Sequence, residues 1–116
     1  MSDRDDLIVR TKTFAVRILK LVDALPNTAS GRAIANQISR SGTSVGANYR
    51  AARRGRSKKE FIAKLGIVVE EVDETVYWLE LIIETVMLPE SKVADLLDEA
   101  EQLTRIFAKA RKTARD

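Results

Sequence analysis

Apolar residues recur every three or four positions along almost the whole chain, and this spacing constrains the fold more than any other feature. The longest run extends without a break from Phe61 to Val86. Its members, one of them a threonine, are Phe61, Leu65, Val68, Val72, Thr75, Leu79, Ile82 and Val86. A period of 3.6 residues places these side chains on one face of an α-helix. The pattern therefore predicts long amphipathic helices and favours no strand.

Three interruptions divide this pattern into four segments. Pro26 ends the first, because proline lacks a backbone donor and clashes with the preceding turn, and Gly55 and Pro89 interrupt the pattern again. The predicted helices span about 5–25, 31–54, 58–86 and 92–114. Links of about two to five residues make consecutive helices antiparallel. We predict an all-α fold, a single domain over 1–116, in which an up-down-up-down antiparallel four-helix bundle forms.

Polar residues just before three of the helices are candidate N-caps. Either Thr28 or Ser30 can cap the second helix. Ser57 and Glu60 are spaced as a capping box, in which each side chain bonds to the other's backbone N–H. Ser91 can cap the fourth helix.

The inner stripe of the second helix has small and polar residues at its middle, where the helices of a bundle normally have large apolar residues. Its predicted inner stripe is Ile34, Ile38, Ser41, Val45, Asn48 and Ala52. Gly42 and Gly46 lie close to this stripe, and each costs the helix about 1 kcal/mol relative to alanine. Close approach of a neighbouring backbone would offset that cost, so we predict helix packing at Gly42, Gly46 and Asn48. Two alternatives are a kinked helix with a local site and a phosphate loop, although the Walker lysine is missing.

Two residue types are absent, and their absence bears on function. Without cysteine the chain has no disulfide, thiolate nucleophile or zinc–thiolate site, and without histidine it has no imidazole base or ligand. A carboxylate cluster at Glu70, Glu71, Asp73 and Glu74 is the remaining candidate for a metal site. Because these residues span more than one helix face, we interpret them instead as an interface or a solvated face. We predict a non-enzymatic protein with no catalytic residue, no metal and no cofactor.

The net charge of +3 conceals a strong asymmetry between the two halves. Residues 1–64 contain 14 Lys and Arg against 5 Asp and Glu, whereas residues 65–116 contain 6 against 12. The basic excess is greatest between residues 50 and 59, where six cations occur without an acid. They are Arg50, Arg53, Arg54, Arg56, Lys58 and Lys59. We call these six residues the junction cations, since they span the predicted link between the second and third helices.

The junction cations predict contact with RNA or DNA, because lysine and arginine neutralise phosphates. Aromatic residues are scarce nearby, so recognition would follow the backbone and its shape. A solvated basic face and an oligomer interface are the alternatives. Arg53 and Arg54 suit a helix C-terminus, whereas Lys58 and Lys59 open a helix where positive charge is disfavoured.

Tyr77 and Trp78 are adjacent bulky aromatics, so they cannot both face one core. We predict that one of them makes an intersubunit contact. The alternative function is therefore a protein–protein scaffold or adaptor that self-assembles through complementary charged faces, without nucleic acid.

The sequence predicts neither secretion nor membrane insertion. Its start is acidic rather than basic, unlike a signal peptide, and no apolar stretch approaches the ~18 uncharged residues of a membrane span. We expect a cytoplasmic protein with no membrane partner.

Three runs, Gln37–Asn48, Arg56–Leu65 and Glu74–Leu81, resemble the signature of a bacterial family known as four-helix bundle proteins. This family includes the proteins encoded in intervening sequences of the large ribosomal RNA. It is distantly related to the accessory variability determinant of diversity-generating retroelements. Many relatives have an acid shortly after the residue equivalent to Asn48, where this chain continues with Tyr49 and Arg50.

The resemblance implies a homo-oligomer, a pentameric barrel of four-helix protomers with a basic surface. It also implies nucleic-acid binding and, by way of the retroelement relatives, a protein partner such as a reverse transcriptase. The family has no catalytic residues to transfer to this chain.

Overall fold

The computed structural model describes residues 3–116, with side chains from residue 6 onward. Its four helices are α1 Asp3–Asp23, α2 Ala29–Arg53, α3 Lys58–Glu84 and α4 Ala94–Arg115. A 3-10 turn at Glu90–Lys92 precedes α4, and the described residues form no strand. The predicted all-α four-helix bundle is confirmed, while the last link is longer than expected because it includes the 3-10 turn.

Consecutive helices pack side by side, and the bundle measures 44 × 25 × 20 Å. Helix α2 packs on α1 and α3, α3 packs on α4, and the contact between α1 and α4 is smaller than these three. The up-down order brings the start of α1, the end of α2, the start of α3 and the end of α4 to one end of the molecule. We call this the junction end, since it contains the link between α2 and α3.

Helix α1 ends two residues earlier than predicted, and Thr28 starts α2. The Ala24 and Leu25 N–H groups donate to carbonyls three residues back, at 3.0 and 3.1 Å, which tightens the chain before Pro26. A residue before proline is disfavoured in the α conformation, so the helix cannot continue to Leu25. The Thr28 hydroxyl accepts from Gly31 N at 3.0 Å, which confirms one of the two predicted caps.

The predicted capping box at the start of α3 is present with one partner shifted. Ser57 Oγ accepts from Glu60 N at 3.1 Å, as expected. The Glu60 carboxylate accepts from Arg56 N at 2.7 Å, rather than from the N–H of Ser57. These two hydrogen bonds attach the last residues of the link to the first turn of α3.

The link after α3 departs most from the sequence-based prediction. Helix α3 ends at Glu84 and not at Val86, because Val86 has a φ of 56°, which is outside the helical region. Met87 N then donates to Ile82 O at 3.1 Å, as in a Schellman turn. Ser91 does not cap α4, because it is part of the 3-10 turn that follows Pro89. The buried Val93 precedes α4 without a side-chain cap.

The core follows the predicted stripes except at Asn48 of α2 and at Val86, which follows α3 and is 76% exposed. Tyr49 is only 4% exposed, and its ring contacts that of Phe107 at a centroid distance of 5.1 Å. Asn48, which was predicted on the inner stripe, is half-buried and donates through its amide to Ser44 O at 2.9 Å. A long aromatic side chain at the next position reaches the interior more effectively than a short amide, so Tyr49 occupies the place predicted for Asn48.

Gly42 and Gly46, the two glycines in the middle of α2, face α1. A Cβ atom on Gly42 would lie 2.8 Å from two carbons of Ile18, and one on Gly46 would lie 3.2 Å from Thr11 Oγ1. Both distances are shorter than normal carbon contacts. The absence of a side chain at these positions lets α1 and α2 approach closely.

Candidate nucleic-acid interface at the junction end

The six junction cations lie together at the junction end, on three consecutive pieces of backbone. Two belong to the last turn of α2, two to the α2–α3 link and two to the first turn of α3. All are exposed except Arg53, which is half-buried. Within the described part of the chain none of the six forms an ion pair, so their charge remains available to an external anion.

Arg53 is held by a contact with an aromatic ring. Its guanidinium carbon lies 5.7 Å from the centroid of Phe61, at the distance of a cation–π interaction. Phe61 is half-buried in the first turns of α3 and packs against the core. The contact therefore joins the end of α2 to the start of α3 and fixes the position of one junction cation.

Two further junction cations line a cavity of about 330 Å³ beside the link. Arg54, Arg56 and Lys64 line it, together with Glu60, Ile67 and small residues. The Glu60 carboxylate accepts a hydrogen bond from the link backbone, so it holds the loop closed. Lys64 was not predicted as part of the site; it is two turns into α3, and only the fold of the link brings it beside Arg54.

A second group of cations reaches the same end from a distant part of the sequence. The last turns of α4 contain Lys109, Arg111, Lys112 and Arg115, and all but Arg111 are exposed. They are about fifty residues away along the chain from the junction cations, so a search for local charge clusters does not connect them. The predicted up-down-up-down order does indicate that the two groups of cations lie close together, since it places the end of α4 beside the start of α3.

The acids of α3 are partly neutralised within the chain. Arg40 of α2 reaches Glu74 at 2.5 Å and Glu71 at 3.3 Å. The hydrogen bond to Glu74, followed by the charges of Glu74 and Glu71, raises the pKa of the Arg40 guanidinium above its usual value. Glu70 and Asp73 remain exposed. Within residues 6–116 no group of three or more acidic side chains is arranged to hold a metal ion.

The other sequence-predicted residues lie outside the group of junction cations, although Gly46 lines a small depression together with Arg50. Gly42 and Gly46 lie in the contact between α1 and α2. Tyr77 is 54% exposed on the outer side of α3, whereas Trp78 is half-buried and donates through Nε1 to Glu74 at 3.3 Å. Tyr77 is therefore the more exposed of the two aromatics.

A larger cavity, about 540 Å³, lies at the opposite end between α1 and the start of α4. Its cations are Arg17, Lys20 and Lys92, and they share the lining with Asp95 and with Leu21 and Leu96. Three cations line this cavity, whereas six junction cations lie at the other end, so this is the weaker candidate for an anion site. Its three cations nevertheless provide a matched control for charge removal.

Known proteins resemble this chain both in sequence and in fold. The sequence profile of the 23S rRNA-intervening sequence proteins matches residues 5–109, which is nearly the whole chain. The chain belongs to this family. The resemblance of its three sequence runs to the proteins of ribosomal RNA intervening sequences is thereby confirmed.

A solved structure agrees with this assignment. A protein of unknown function from the S23 ribosomal protein family of Bacteroides thetaiotaomicron VPI-5482 is 35% identical to this chain. The match covers 90% of this chain and 97% of that one, with a TM-score of 0.84. Comparison with curated proteins finds no match. None of the described helices has an apolar stretch sufficient to cross a membrane.

Proposed function

We propose that this 23S rRNA-intervening sequence family protein is a non-enzymatic accessory protein that binds structured RNA or DNA through its junction cations. One observation carries the proposal: six cations within ten residues, none of them in an ion pair within the described chain, converge at one end of the bundle. Phosphate contacts supply most of the sequence-independent affinity of nucleic-acid-binding proteins. Such an array fits a phosphate backbone better than it fits a single small anion.

The same surface favours binding by charge and shape over base reading. Phe61 is the aromatic residue next to the junction cations, and the guanidinium of Arg53 lies over its ring. Contacts to phosphates position a protein on a nucleic acid but carry little sequence information. RNA is the first ligand to test, because the family is named for ribosomal RNA intervening sequences.

Fluorescence anisotropy with a structured RNA hairpin, measured at several salt concentrations, tests the proposal. Replacing Arg54, Arg56 and Lys59 by alanine removes three exposed charges and spares Arg53, which packs on Phe61. We expect about a tenfold or greater loss of affinity and a salt dependence reduced by roughly two units or more. The control removes the same number of charges from the opposite end, at Arg17, Lys20 and Lys92. Absence of binding at low salt, or equal effects of the two triple variants, would contradict the proposal.

We also propose that the protein is a homo-oligomer, and the resemblance to pentameric relatives makes a pentamer the specific expectation. A protein partner such as a reverse transcriptase is a further expectation from the same resemblance. Light scattering coupled to size-exclusion chromatography measures the subunit number, and a monomer at every salt concentration would contradict self-association.

A second candidate function, the self-assembling scaffold, is favoured by a contrast between two outer faces. Between residues 9 and 20 the exposed surface of α1 carries Lys12, Arg17 and Lys20 beside Val9, Val16 and Leu19, without an acid. The exposed surface of α3 carries acids around Tyr77, which are Glu70, Asp73, Glu80 and Glu84. Two different complementary patches on one chain can join copies head to tail.

The scaffold function predicts an assembly that weakens as salt rises and that shows no nucleic-acid shift. Tyr77→Ala should weaken the assembly without altering the helical content. Tight RNA binding that depends on Arg54, Arg56 and Lys59 would favour the first proposal instead.

A further inference from the structure

The junction end carries two groups of cations that are separated by an apolar depression. Phe61 forms part of the floor of this depression, which has a volume of about 480 Å³. The rest of its lining comes from α4: Ile106, Lys109, Ala110, Thr113 and Ala114. Phe61 contacts Arg53 of α2 and also lies beside Lys109 of α4. One cation of each group, Arg53 and Lys109, therefore approaches Phe61, and Lys112 and Arg115 follow Lys109 in the last turns of α4.

The end of α4 packs against α3 where Arg111 meets Gly66. A Cβ atom on Gly66 would lie 3.0 Å from Arg111 Nε and 3.2 Å from Arg111 Cζ, so the guanidinium rests directly on the α3 backbone. Arg111 Nε is buried and has no hydrogen-bond partner within the described chain. This packing holds the cation-bearing turns of α4 next to the start of α3, so the second group is part of the fold and not a free tail.

The arrangement suits a double helix better than a single strand. The bundle is 25 × 20 Å in cross-section, which exceeds the ~12 Å width of the B-DNA major groove. Cations on both sides of its end can therefore reach phosphates on both sides of a groove. Proteins that bind single strands use exposed aromatic rings on which bases stack. Tyr77, the most exposed aromatic described, is roughly 28 Å along α3 from Lys58.

Helix α1 begins at the junction end and adds charges of both signs to it. The exposed Asp6 lies near its start, and the exposed Lys12 lines a small depression together with Arg50 of α2. Most of the cations at this end belong to α2, α3 and α4, so a phosphate backbone is attracted mainly to these three helices.

We infer that Lys109, Lys112 and Arg115 of α4 form the second half of a binding surface for duplex RNA or DNA, with the junction cations as the first half. This inference rests on the proposed function and adds to it a ligand class and three residues. The junction cations contact one phosphate row of the duplex, and the α4 cations contact the other.

The test compares three triple alanine variants of the full chain. One removes Lys109, Lys112 and Arg115, the second removes Arg54, Arg56 and Lys59, and the control removes Arg17, Lys20 and Lys92. Each is titrated with a duplex of about 20 base pairs and with an unstructured single strand of equal phosphate number, across a salt series. Because alanine favours helix, circular dichroism should show unchanged helical content in the α4 variant.

We expect the α4 variant to bind the duplex about tenfold or more weakly, with a salt dependence lower by roughly two to three units. Its binding of the single strand should change less.

If the junction variant loses binding while the α4 variant behaves like the control, the inference fails and the proposed function stands. If neither variant differs from the control, both fail. Equal losses for duplex and single strand would overturn the duplex assignment. A charge-conserving Lys109→Arg/Lys112→Arg variant should retain duplex affinity, and loss of affinity in that variant would also count against the inference.

Discussion

Single residues set the separation of the helices and the geometry of the turns. Gly42 shows this most clearly, because its missing side chain is what allows Ile18 to reach the backbone of α2. Val86 shows the opposite case, a β-branched residue in a conformation that favours glycine. The sequence indicated the importance of Gly42, since two glycines in one helix need a reason, but nothing in the sequence indicated the left-handed backbone of Val86.

We predict that Gly42→Ala destabilises the protein by about 1–3 kcal/mol, although alanine favours helix over glycine by about 1 kcal/mol. The reason is the 2.8 Å approach of the new Cβ to Ile18. Urea unfolding measures the change in free energy. A double-mutant cycle with Ile18→Ala provides the control, since a smaller loss in that background identifies Ile18 as the source. An unchanged or higher stability of Gly42→Ala would contradict the close packing.

We predict that Val86→Gly stabilises the protein by about 1 kcal/mol, because glycine adopts a positive φ without strain. Val86 is 76% exposed, so removal of its side chain removes little buried apolar surface. Thermal unfolding provides the measurement, and Val86→Ala, which retains the strained backbone, is the control. A lower melting temperature for the glycine variant than for the alanine variant would contradict the assignment of this turn.

At the scale of elements, the start of α3 combines a strong cap with unfavourable charges. Ser57 and Glu60 satisfy two backbone N–H groups there, whereas Lys58 and Lys59 place positive charge at the positive end of the helix dipole. Surface residues that lower the stability of their own helix are expected where they contribute to binding a ligand. The two lysines therefore fit a surface selected for binding an anion.

Replacement of Lys58 and Lys59 by glutamate should raise the free energy of unfolding by about 0.5 kcal/mol per substitution at low salt and abolish most RNA affinity. Unfolding experiments and anisotropy titrations on the same double variant measure both effects. Lys20→Glu, near the end of α1, is the control, since it should destabilise its helix and leave RNA binding unchanged. A double variant that loses stability, or one that keeps full affinity, would argue against a functional role for these lysines.

At the scale of the whole molecule, the antiparallel order determines which charges meet. The strongly basic first half and the acidic second half pair only in part, through Arg10 with Glu99 and Arg40 with Glu71 and Glu74. Most of the remaining cations of α2, α3 and α4 collect at the junction end, with Arg32 and Arg105 as exceptions, and acids occupy the outer side of α3. This separation of charge is the basis of the binding surface proposed at the junction end.

Binding at the junction end should stabilise the entire bundle, because a ligand that binds only the folded state shifts the unfolding equilibrium. At a structured RNA concentration about 100-fold above its Kd we expect roughly 2.7 kcal/mol of stabilisation, or a rise in melting temperature of about 10 °C. The Arg54, Arg56 and Lys59 triple variant should lose most of this rise, whereas the Arg17, Lys20 and Lys92 variant should retain it. An equal rise in melting temperature for the unmodified protein and both triple variants would mean that the RNA binds outside the junction end.

The sequence by itself determined the four helices, their order, the cap at Ser57 and the cluster of junction cations, and it narrowed the cap of α2 to Thr28 or Ser30. These features depend on periodicity, local hydrogen bonding and near-neighbour charge, which are all encoded within a few residues of each other. The family could also be identified, since its motifs are contiguous.

Only the tertiary structure decided how distant residues combine. It brought Lys109 of α4 beside Phe61, seated Arg111 on Gly66, and buried Tyr49 against Phe107 in the place predicted for Asn48. These outcomes depend on the separation and rotation of helices, which result from the simultaneous packing of side chains from several elements. For this reason the first half of the proposed surface could be predicted from the sequence, and the second half required the fold.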